Sequence, residues 1–280
     1  MIRRVAGAAA GLGLVAFAVL LAPLALGGCD GGDIKLIGTD RASATCNAAP
    51  AAPPASLGLD PFYTKYLDAT GIPVISSDRP ADAALVQACL TVVHMLRERD
   101  DVRQEMIAQG MRVGVIGTSE VTTNLPEYND LYAAFPGTDW DALRGVGATL
   151  ARPVSSFGEE NILCQAGDPY AGENVLIQTF SSSVLLGVEA VDATFDRRLQ
   201  SAFTNATSSG LWQNTFASQN PIAYFGMGVQ DWFDAWAVTS PSSGPQNQVN
   251  TRAELRSYDP GLAGLVGETM PDDAWRPHCP

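Results

Sequence analysis

Few residues in this chain are of the types that do chemistry by themselves. There are two histidines, His94 and His278, and no basic cluster. His94 lies between apolar Val93 and Met95, which favours packing over catalysis; His278 adjoins the C-terminus, where a surface position is the default. With two histidines in such distant segments, neither a zinc site nor a Ser-His-Asp arrangement is encoded by spacing. The run Ser181-Ser182-Ser183 offers hydroxyls but lacks the G-x-S-x-G elbow that would expose a nucleophile. Glu159 and Glu160 are adjacent carboxylates, which serve as acid and base only when their pKa values are pushed apart. Capping a helix or holding a loop is the role favoured for them. Neither G-x-G-x-x-G nor a Walker pattern is present, so no phosphate loop is expected.

The elements that would position these residues are mostly helical. Leu85, Cys89, Val93 and Leu96 share one stripe and predict a helix over 82–97. A second helix is predicted over 100–109, stopped by Gly110, followed by a strand over 111–116. Further helices are predicted over 171–186, 195–208 and 222–236, the last rich in aromatic residues. Residues 240–248 read as a loop, and order is expected to begin near Leu59. The fold class is α+β, helix-rich with a few strands.

Two blocks of sequence carry more than periodicity. The first is Gly158-Glu159-Glu160-Asn161-Ile162-Leu163-Cys164 leading into Gly172-Glu173-Asn174-Val175-Leu176-Ile177-Gln178-Thr179-Phe180-Ser181-Ser182. The second is Ala223-Tyr224-Phe225-Gly226-Met227-Gly228-Val229-Gln230-Asp231-Trp232-Phe233-Asp234. With Asp60-Pro61-Phe62-Tyr63, Glu120-Val121-Thr122-Thr123, Asn250-Thr251-Arg252-Ala253-Glu254-Leu255 and Tyr258-Asp259-Pro260, they resemble, in order, a family of secreted zincin metallopeptidases of the gluzincin, lethal-factor-like kind. The resemblance spans roughly residues 59–280 and implies a zincin-like fold.

In such peptidases an HExxH helix holds zinc through two histidines one turn apart, and the glutamate between them activates the bound water. Laid on that motif, the histidines fall on Gln178 and Ser182 and the glutamate on Thr179. The third ligand, a glutamate on a later helix, falls on Met227. A neutral carboxamide, two hydroxyls and a thioether do not make a zinc site, and threonine is no base near neutral pH. The resemblance therefore implies a degenerate member, with no catalytic residues, no metal and no cofactor expected.

The N-terminus points to export. Arg3 and Arg4 precede an apolar run that ends in Leu26-Gly27-Gly28-Cys29, which resembles a bacterial lipobox. The resemblance implies cleavage before Cys29, diacylation of that cysteine and residence in the cell envelope, outside the cytoplasm. Residues 29–58, rich in Ala and Pro, read as a tether, and residues 59–280 as the domain. Cys46, Cys89, Cys164 and Cys279 are then an even set in an oxidising compartment, with three possible pairings if all four bond; Cys89 also suits a buried thiol. Net charge is −13, and −15 once Arg3 and Arg4 are removed, which disfavours nucleic acid and anionic head groups. These features combine into a lipid-anchored pseudo-peptidase that binds a peptide or envelope partner. The alternative is an active metallopeptidase, or another hydrolase, with non-standard site residues.

Overall fold

The computed structural model describes residues 45–236 and 247–277. Four short strands, β1 (Lys65–Ala69), β2 (Ile72–Ser76), β3 (Arg112–Ile116) and β4 (Val154–Gly158), form one sheet in the order β1-β2-β3-β4. The first two make an antiparallel hairpin, and β2, β3 and β4 run parallel. The hairpin turns on Thr70 and Gly71, both at positive φ, the geometry whose twist matches a two-residue connection. Between β2 and β3 the chain passes through α1 (Asp82–Leu96) and α2 (Asp100–Ala108). Short α3 (Leu131–Ala134) precedes β4, and α4 (Glu159–Ile162) follows it directly. Helices α5 (Val175–Val191), α6 (Phe195–Ser208), α7 (Pro221–Trp232), α8 (Arg252–Tyr258) and α9 (Pro260–Gly267) complete the described chain. The protein is thus mixed α and β, as its patterning predicts.

The two faces of the sheet do different work. Val113, Val115 and Phe157 point into the main core with α1, α2, α5 and α7, while Ile116 and Val154 pack on a smaller cluster with Leu125, Tyr128 and Leu131. Both faces are covered, which is the usual state of parallel strands. Helix α5 lies against β4, α2 and α7, and so ties the sheet to the C-terminal helices.

Several expectations shift on the structure. Helix α5 starts at Val175 rather than Ala171, because Asn174 is its N-cap and accepts from Ile177 N at 3.0 Å, and it continues to Val191. Helix α7 starts at Pro221 behind the Asn220 cap and ends at Trp232, with Asp234 in the left-handed region. Order begins before Leu59: Cys46 is buried and bonded to Cys89 on α1, and Ala51 bridges to Tyr66 of β1. The last part of the expected tether is therefore fastened to the domain. Cys89 is a disulfide partner and not a free thiol; Cys164 is disulfide-bonded too, in a pairing outside the described residues. The expected loop over 240–248 falls mostly outside those residues, as do Cys29, His278 and Cys279. No helix among the described residues is long and apolar enough to cross a membrane.

Candidate functional site

A cleft of about 710 Å³ opens between α5, the start of α7 and the segment 143–149. Its position follows from three local devices. The first is the segment 143–149, which runs back along the free edge of β4. Ser156 N donates to Val146 O at 2.9 Å, Val146 N to Ser156 Oγ at 3.1 Å, and Ala148 N to Ser155 Oγ at 3.3 Å. Gly145 and Gly147 alternate with these residues and turn toward α5. A Cβ on Gly145 would stand 2.5 Å from Val175 Cγ1 and 2.8 Å from Ser156 O, and one on Gly147 would collide with Ser182 Oγ. Two glycines thus let backbone lie directly on the helix.

The second device is Arg144, which grips Glu160 through two contacts, Nε to Oε1 at 2.5 Å and Nη2 to Oε2 at 2.9 Å. It also donates to Glu120 O and Gly117 O, joining the segment to the loop after β3. Glu159, at 5% exposure, accepts from Ala81 N at 2.7 Å and Thr118 N at 2.8 Å. The adjacent carboxylates are therefore loop fasteners, each fully engaged, and not an acid and base pair. The third device is Asn161. Its Oδ1 accepts from Val175 N at 2.8 Å, and its Nδ2 donates to Glu173 O and Asp168 Oδ2, so it sets where α5 begins.

Three of the four sequence-derived positions meet in this cleft. Gln178, Thr179 and Ser182 of α5 line it, beside the Gly145–Thr149 backbone that rests on the helix. Met227 does not. It is fully buried behind α7, where Ala217 N lies 2.9 Å from its sulfur. The residues that α7 turns to the cleft are Ile222, Ala223 and Gly226, and a Cβ on Gly226 would sit 3.1 Å from Ser181 Oγ. One residue along a helix is a rotation of about 100°, so with Gly226 toward α5, Met227 turns elsewhere. Met227 thus lies apart from the other three positions.

His94 is remote from the cleft. It stacks on Trp275 with centroids 4.1 Å apart, and its Nε2 lies 3.2 Å from Asp273 Oδ2. Burial lowers its pKa, and Arg97 adds to the effect while Asp273 opposes it. It packs the C-terminal segment against α1, as its apolar neighbours predict.

The polar side chains lining the cleft are the carboxamides of Gln178 and Asn220, the hydroxyls of Thr149, Tyr170, Thr179 and Ser182 and, as the one charged side chain among the described lining residues, Glu173. That set does not fit zinc, which takes imidazole, thiolate and carboxylate ligands in tetrahedral array. Among the described residues no three of His, Cys, Asp and Glu come together as a metal site. The walls are mainly apolar, from Phe216, Ile222, Val175 and Trp236. Of the side chains that build the cleft, Arg144 carries no motif of its own and Asn161 enters only within the Gly158–Cys164 block; their hydrogen bonds reveal what they do. No protein-family model, curated protein or solved structure matches the chain.

Proposed function

We propose that this chain is a catalytically inactive, metallopeptidase-like binding protein that holds an extended peptide in the α5 cleft without cutting it. The observation that carries the reading is the juxtaposition of Gln178, Thr179 and Ser182 on one cleft wall with an edge of backbone, Gly145 to Thr149, beside it. Val146 and Ala148 bond inward to β4, and Thr149 pairs with Arg152, which leaves Gly145 and Gly147 to present their N–H and C=O groups to a ligand. A peptide added there has main-chain partners along one side and apolar walls for its side chains. Where a peptidase of the resembling family places zinc and a base, this wall offers only a carboxamide and hydroxyls, so the scissile carbonyl meets neither Lewis acid nor activated water.

The zincin-like assignment, the lipid on Cys29 and residence in the bacterial envelope belong to the same proposal and rest on the sequence blocks and the lipobox. The test is zinc content of the full chain purified without chelators or a histidine tag, alongside hydrolysis of a mixed fluorogenic peptide pool. The expected result is well under one zinc per chain and no chelator-sensitive hydrolysis. One tightly held zinc per chain would overturn the reading.

A further inference from the structure

We infer that Gln178 and Ser182 act together as a reader of the backbone N–H and C=O of one residue, setting the register of a neutral, internal stretch of the bound peptide. The inference rests on the reading of the cleft as a peptide groove and adds the residues that choose what fits it.

The polar side chains along this part of α5 fall into two groups. Three have partners within the protein: Thr179 Oγ1 reaches Leu176 O at 3.4 Å, Ser181 Oγ donates to Gln178 O at 2.6 Å, and Ser183 Oγ lies 2.8 Å from Ser155 Oγ. Gln178 and Ser182 are half-buried, line the cleft, and have no side-chain hydrogen bond among the described residues. They are one helical turn apart and therefore share a face. A half-buried polar group without a protein partner keeps its hydrogen bonds only through water, and a ligand that displaces the water must replace them.

The chemistry of the pair matches the backbone of one residue. A carboxamide offers one acceptor and two donors, and a hydroxyl offers both roles, which suits the N–H and C=O of one extended residue, since these point to the same side of the chain. A carboxylate presents acceptors alone, so it leaves the Gln178 oxygen unanswered. It would also enter beside Glu173 in a chain of net charge −13. Phe216, Ile222 and Trp236 then receive an apolar side chain next to the residue that is read. The occupant is thus an uncharged interior segment with a large apolar residue, and not a free C-terminus.

The experiment uses the full chain and an array of N-acetylated, C-amidated random octapeptides, with affinities followed by fluorescence polarisation. The best binder is then methylated at each backbone nitrogen in turn. In the wild type, methylation at one position is expected to weaken binding at least tenfold. Gln178→Leu is expected to weaken the parent peptide about 5- to 10-fold, the worth of one hydrogen bond, and to erase that sensitivity; Ser182→Ala is expected to act in the same direction. The sensitivity is a ratio within each variant, so it does not depend on how much of the variant is folded. If Gln178→Leu kept both the affinity and the methylation pattern, the backbone reader would be overturned while the groove stood. If uncapped peptides with a free carboxylate bound better, the internal-segment assignment would be wrong. Absence of any binding at about 1 mM would instead remove the groove reading itself.

Discussion

Asp231 is fully buried on α7, and neither of its carboxylate oxygens has a hydrogen-bond partner among the described residues. Burial raises its pKa well above the ordinary carboxylate value, and the nearby charges of Glu254 and Asp234 push the same way. The folded state therefore holds this proton more tightly than the unfolded one. Its contribution to stability is complete below the unfolded pKa and is lost as pH rises toward the folded value. Asp231→Asn, which has no proton to lose, is expected to match the wild type near pH 4 and to exceed its Tm by about 3–6 °C at pH 8, in melts recorded across that range. His94 works in the opposite direction. Its pKa is lowered, mainly by burial, so its contribution is complete above pH 6.5 and falls as pH drops below that. With only two histidines in the chain, an NMR titration reads it directly. A His94 midpoint above 6.5 would mean that Asp273 outweighs burial at this site.

The segment 143–149 is an element that no pattern in the sequence announces. It is neither helix nor named strand, and its course is set by Ser155 and Ser156 of β4 and by the grip of its own Arg144 on Glu160. Its closeness to α5 makes a sharp prediction. Gly147→Ala is expected to lower stability by about 1–3 kcal/mol, since the new methyl meets Ser182 Oγ, and Ser182→Ala in the same chain should restore part of the loss. Equal losses in the single and double variants, by chemical denaturation, would show that the contact is not the cause. The same region shows what sequence reading can and cannot reach. Helices α1, α2 and α6 are legible because apolar stripes and the stops at Gly110 and Gly210 agree. Strand β3 is legible as a run of Val and Ile before which a helix stops, but β1, β2 and β4, of the same five-residue length, carry Lys and Asp, a proline and a pair of serines that hide them. In β4 two serines occupy interior positions because Thr179, Ser183 and Val146 answer their hydroxyls, a pairing visible only in three dimensions. At the site, Gln178, Thr179, Ser182 and Met227 enter only through the resemblance to the motif; the first three share a cleft wall, while Met227 is buried on another face of α7.

At the scale of the whole molecule, the described chain holds together through one large apolar core and a covalent link near its beginning. The Cys46–Cys89 bond joins residues 43 apart, with Cα atoms separated by 5.4 Å. Closing a loop of that size restricts the unfolded chain, an effect of typically about 2–4 kcal/mol. Replacing both cysteines, Cys46→Ala with Cys89→Ala, is expected to lower Tm by about 5–15 °C, measured by calorimetry. A change below about 2 °C would mean that burial of the N-terminal segment, and not the bond, does the fastening. The placement of this bond also decides how the fold responds to tension. A pull on the residues that precede Cys46 passes across the sulfur atoms into the middle of a 15-residue helix packed under the sheet. The load is then shared over that helix, and cannot peel Ala51 and its neighbours from β1 one contact at a time. Under reducing conditions the same pull would begin as an unzipping.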